Sequence, residues 1–180
     1  MSFIVETQDG SSYTPGANSY ASDTDATTYF NDRGITTWSG TQAVMQAALV
    51  RATQYLDARY KARYQGSRLF TAQSLGWPRR GAIDRDFTQS FGFGVQTGFG
   101  SMGYPILGIP TNLRYATFEA ALIALGTDLM PFMNIIGSMK AQQVGGIKID
   151  YQGDTPSLAT YQFIDTLMRP LLHSGSRVTR

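Results

Sequence analysis

Between Thr41 and Arg63 the apolar residues fall at helical spacing with no proline or glycine to interrupt them. Val44, Ala47, Ala48, Val50, Ala52, Tyr55, Leu56 and Tyr60 carry the pattern. It predicts a helix over about 42–62, the longest in the chain, with Arg51, Arg59 and Arg63 largely off the apolar stripe. A helix of that length needs partners for its stripe, and the chain supplies them at the same period. Ser22 is a good N-cap, Asp23 and Asp25 suit a first turn, and Ala26, Tyr29 and Phe30 share a face, so a short helix is expected over about 22–33, stopped by Gly34. Pro110 suits a first turn, and Leu113, Ala116, Thr117, Ala120, Ala121, Ile123, Ala124 and Leu125 continue it to about 129. Those alanines let another helix approach closely. Ser157 can cap a last helix carrying Leu158, Tyr161, Ile164, Leu167, Met168 and Leu171, with Pro170 weakening its final turn.

Two segments break this period. Ile147-Lys148-Ile149-Asp150-Tyr151 alternates apolar and polar after Gly145-Gly146, which is strand patterning, and it predicts a hairpin between the third and fourth helices. Residues 64–109 read as irregular, since Trp77 before Pro78 is disfavoured in a helix. Within them, Phe91–Gly108 sets Phe91, Phe93, Phe99 and Tyr104 among glycines with no charge. This is expected to be a long Gly/Phe-rich loop over about 88–108, an arm that orders against a neighbouring subunit; a disordered loop is the alternative. Ser2–Glu6 reads as a strand or extended arm, 7–19 as loop and 173–180 as a mobile tail. The expected fold class is mainly α: one domain over 1–180, a small bundle of about four helices with a β-hairpin between the third and fourth and one long loop.

Charge is uneven along the chain. Residues 1–32 hold five acids and no base; residues 33–85 hold nine bases against Asp57 and Asp84, a sum of +7, within a chain whose formal net charge is only +2. Charged residues make up 16%, below the roughly 25% usual for soluble domains, which suits a surface that partners cover, or one solvated by Gln, Ser, Thr and Asn. No apolar run approaches the ~18 residues of a membrane span, and the N-terminus lacks a signal-peptide pattern, so the expectation is a soluble protein made in a cytoplasm.

Catalytic chemistry is sparsely provided. There is no cysteine and one histidine, His173, so a triad or zinc site would have to rest on that residue. The carboxylate pairs Asp84/Asp86 and Asp150/Asp154 lie in turn-like contexts where Asp serves the backbone. The Gly-Phe-Gly repeats lack the strand-to-helix setting of a phosphate loop. The expectation is a chain that is not an enzyme and carries no cofactor or metal. Nucleic acid is better served. Arg59, Lys61, Arg63, Arg68, Arg79, Arg80 and Arg85 interleave with Tyr55, Tyr60, Tyr64, Phe70 and Trp77, the mixture of cations and rings that single-strand binding uses. Alternatively the tyrosines are core, and the arginines bridge subunits to the acidic N-terminal segment.

Several motifs resemble one family in order along the chain. They are Asn18-Ser19-Tyr20 with Asp25, Ala26, Tyr29 and Phe30; Ala47 through Asp57; Leu75-Gly76-Trp77-Pro78-Arg79 with Gly81 and Asp84; Ile109-Pro110 with Ala116, Glu119, Ala120 and Ala121; and Val144-Gly145 with Ile147, Ile149 and Tyr151, then Pro170-Leu171-Leu172. The chain resembles the phage family labelled DnaT-like single-stranded-DNA-binding proteins, which sits beside helical head-tail connector and head-completion proteins. The Gly/Phe stretch departs from it, being much shorter in that family. The resemblance implies a structural head-to-tail adaptor in the virion neck: a ring of about 12 copies beneath the portal protein, extending the DNA channel and receiving the tail or a tail-completion protein. Genomic DNA would pass without sequence-specific binding. Arg59, Arg63, Phe91, Phe93, Phe99, Tyr104, Ile147, Ile149, Arg177 and Arg180 are the expected interface residues. The alternative is a single-stranded-DNA-binding protein.

Overall fold

The structure, a computed structural model, describes residues 2–7, 10–88, 103–129, 141–144, 147–150 and 161–173. Four α-helices lie among them: α1 Asp23–Asn31, α2 Gln42–Tyr60, α3 Thr111–Gly126 and α4 Gln162–Met168. Three antiparallel strand pairs lie among them too: β1 Ser67–Arg68 with β2 Arg79–Arg80, β3 Ile83–Thr88 with β4 Gly103–Pro105, and β5 Ala141–Val144 with β6 Ile147–Asp150. The domain is mainly α, as expected, and the β5–β6 hairpin lies between α3 and α4.

The core forms where α2 packs on α3, and α4 packs on α3 while its Asp165 reaches Tyr60 of α2. Ala48 and Ala52 of α2 and Ala116, Ala120, Ala121 and Ala124 of α3 are buried, and side chains this small let the backbones approach. Leu49, Tyr55, Leu56, Leu113, Ile164 and Met168 fill the remaining volume. α1 begins where Ser22 Oγ accepts the Asp25 amide at 3.0 Å, and it closes through Gly34, whose φ of +66° only glycine adopts readily. Its Tyr29 and Phe30 join Trp38, Tyr115 and Phe118 in a ring cluster, with the Arg33 guanidinium 3.5 Å above Tyr29.

Three expectations need correction. The segment 64–109 is not simply irregular: it holds β1–β2 and β3–β4, pairs too short or too far apart in sequence to show alternation. Its Gly/Phe-rich part is shortened accordingly, because Tyr104 lies in β4 opposite Asp84, Ile106 donates to the Ala82 carbonyl at 2.9 Å, and only 89–102 fall outside the described residues. Within the described residues α4 starts at Gln162, and Ser157, the expected cap, lies outside them. The N-terminal arm is tied down through a bridge from Val5 to Ser19.

A buried polar knot joins α2 to the loop after β1. Tyr20 donates to Asp57 Oδ1 at 2.5 Å and accepts the amides of Gly76 at 2.9 Å and Trp77 at 3.3 Å; Asp57 Oδ2 accepts the Gly76 amide at 2.8 Å. Burial raises the Asp57 carboxyl above its ordinary value, although the hydrogen bonds from Tyr20 and Gly76 oppose the shift. A raised folded-state value means the native state holds this proton more tightly than the unfolded chain. Asp57 therefore adds stability at acid pH and loses that contribution as pH rises through its folded value. The stability of the parent relative to Asp57→Asn is expected to increase between about pH 7 and about pH 4.5, measured by urea unfolding at both. A gap that shrinks on acidification contradicts this.

Candidate nucleic-acid interface

From Lys61 to Ile83 there are five basic residues and no acid. The segment begins as a 3₁₀ turn, Lys61–Arg63, that continues α2, and then forms the β1–β2 pair with Arg68 opposite Arg79 and Ser67 opposite Arg80. Lys61, Arg63, Arg68 and Arg80 are exposed. Four cations held on short, fixed elements make a positive surface on a chain of small net charge.

Two buried glutamines hold this segment to the body. Gln65 Nε2 donates to the Pro170 carbonyl at 2.7 Å, its Oε1 accepts the Ile83 amide at 3.2 Å, and its own amide donates to the Leu171 carbonyl. Gln73 Oε1 accepts the Phe70 amide at 3.0 Å, while its Nε2 donates to the carbonyls of Leu75 at 2.9 Å and Pro78 at 3.0 Å. Arg79 works inward. Its Nε donates to the Gln65 carbonyl at 2.6 Å, Nη2 to Gly66 at 2.6 Å and Nη1 to Gly76 at 3.2 Å. Burial lowers this guanidinium from its ordinary value, yet an arginine stays cationic at neutral pH. The Leu75–Arg79 motif is thus a latch that builds the loop. Trp77 is fully buried against Tyr64, and Arg79 spans three carbonyls.

The aromatics separate sharply. Tyr55, Tyr60, Tyr64 and Trp77 are core residues, each 0–1% exposed. Of the five rings interleaved with the bases, Phe70 alone stays open, at 37%. It meets Tyr13, a residue sequence reasoning did not single out, with ring centroids 5.2 Å apart.

Arg59 and Arg63 stand near each other but differ in use. Arg59 Nε lies 3.1 Å from Tyr60 Oη and 3.5 Å from Asp165 Oδ1, and Tyr60 donates its hydroxyl to that same carboxylate. Within the chain, Arg59 thus meets an acid of α4. Arg63 is exposed, with its guanidinium 5.3 Å from the Tyr60 ring. In the acidic segment, Asp25 pairs within the chain with Arg114 at 2.6 Å. Tyr104 pairs through its backbone with Asp84, and Ile147 and Ile149 pair with Val144 and Gln142. Phe91, Phe93, Phe99, Arg177 and Arg180 lie outside the described residues.

Against known protein families, residues 1–180 match the one described as "Putative DnaT-like ssDNA binding protein". The chain belongs to this family. No curated protein and no solved structure matches it. The match spans the whole chain, so the latch motif and the three strand pairs fall within the family's extent. No helix among the described residues is long and apolar enough to cross a membrane.

Proposed function

We propose that this family member binds single-stranded DNA without sequence preference, through the basic segment Lys61–Ile83. The observation that carries the reading is the exposure of Lys61, Arg63, Arg68 and Arg80 on a segment that contains no acid. Phosphates meeting these cations release counterions, so affinity must fall with salt. At about 0.7 per cation for single strands, four cations give a slope of log Kobs on log salt of up to about −3. Arg63→Ala and Arg80→Ala are each expected to flatten it by about 0.7, read by fluorescence anisotropy of a labelled oligothymidine over a salt series. Binding that does not vary with salt, or none at low salt, sinks the proposal.

A second reading is a structural head-to-tail adaptor that forms a ring below a phage portal. It is favoured by apolar surface that the fold leaves uncovered. A groove of about 360 Å³ runs between the N-terminal arm and α2, lined by Phe3, Ala43, Ala47 and Val50, and beside it Val44 is 49% exposed. Surface of this kind suits a neighbouring subunit. Electron microscopy of the virion neck tests it: a ring of this chain between portal and tail supports the adaptor, and a neck without it removes the adaptor.

A further inference from the structure

The loops 10–19 and 65–80 each deliver one partly open ring to the same spot. Phe70 is 37% exposed and Tyr13 half-buried, with centroids 5.2 Å apart and planes tilted by 42°. Neither ring hangs on a loose loop. The Phe70 amide is held by buried Gln73, whose side chain also fastens Leu75 and Pro78. Next to Tyr13, Thr14 donates its amide and hydroxyl to Glu6 at 2.9–3.1 Å, and Glu6 is itself buried. Ser74 Oγ donates to the Ala17 carbonyl at 2.8 Å and ties the two loops together. Arg68 lies against the same turn, its Nη1 on the Gln73 carbonyl at 3.1 Å.

An aromatic pair on the same turn as a cation that can meet phosphate offers what an unstacked base requires: a π-face for the ring and a charge for its backbone. Duplex DNA cannot use it, because its bases already stack on each other. We infer that Tyr13 and Phe70 form a base-stacking platform, with Arg68 beside it on the adjoining phosphate, so that this protein distinguishes unstacked single strands from duplex and from bare polyphosphate. The inference rests on the proposed binding of single strands by the basic segment, and it adds a subsite for the bases.

The test compares an oligothymidine with an abasic oligonucleotide of the same length, which keeps the phosphates and loses the rings. The full chain is expected to bind the oligothymidine at least about fivefold more tightly. Phe70→Ala should abolish that preference while leaving abasic affinity unchanged, and Phe70→Trp should retain it. Circular dichroism and the unchanged abasic affinity together show that the variant is folded. If the parent binds both probes equally, or if Phe70→Ala keeps the preference, the platform is wrong while phosphate binding stands. If neither probe binds in a salt-dependent manner, the underlying reading fails too.

Discussion

Trp77→Ala is expected to lower stability by about 3–5 kcal/mol, the largest effect of any single truncation proposed for this chain. Trp77 is fully buried and meets the Tyr64 ring edge-on at 5.9 Å. Its amide is one of two that converge on the Tyr20 hydroxyl, so its backbone is tied into the polar knot of α2. Removing it leaves a void bounded by groups that hydrogen bonds hold in place, and such a site collapses poorly. One term works the other way. The indole Nε1 is buried with no acceptor among the described residues, and an orphaned donor costs about 1–3 kcal/mol. Trp77→Phe, which deletes that donor and keeps most of the ring volume, should therefore cost far less than alanine. Urea unfolding of both variants decides it: a loss below about 1 kcal/mol for Trp77→Ala means that the latch does not hold the fold.

The second large effect is expected at Gly66. Its φ is +65°, and a Cβ there falls 2.1 Å from the Arg80 carbonyl oxygen and 2.9 Å from the Ala82 nitrogen. Both obstacles are backbone, which cannot swing aside as a side chain would. Gly66→Ala meets the left-handed penalty of about 1–2 kcal/mol and must also push β2 away from β1. A total of about 2–4 kcal/mol is expected in urea unfolding, with weaker oligothymidine binding, because Arg68 and Arg80 lose their common frame. An unchanged midpoint would show that the β1–β2 pair opens freely and contradicts the geometry described above.

The helices were legible because burial imposes a period: the stripe on α2, the alanines of α3 and the Ser22 cap each leave a local trace. The β5–β6 hairpin was legible for the same reason. β1 and β2 were not, since two residues cannot alternate visibly, and their pairing depends on Gln65 and Arg79 reaching carbonyls far along the chain. The basic segment was visible as composition, but which rings it exposes was not. Tyr55, Tyr60 and Tyr64 look like a stacking set when read beside the arginines, yet their places on and just after α2 turn them inward. Arg59 shows the same limit. Its acidic neighbour, Asp165, lies more than 100 residues away, and only the docking of α4 brings the two together. Tyr13 had no pattern to mark it, because its importance comes from Phe70 across the gap between two loops.

Arg79 takes up three carbonyls that would otherwise need water or a ligand to satisfy them. The hairpin around it is consequently ordered before anything binds. Fixing a free backbone costs about 1–2 kcal/mol per residue, and a ligand of this surface would be spared that cost. Under the proposed binding of single strands, affinity would come from a few cations and rings, a small footprint for a flexible polymer, and release would require no unfolding of this hairpin.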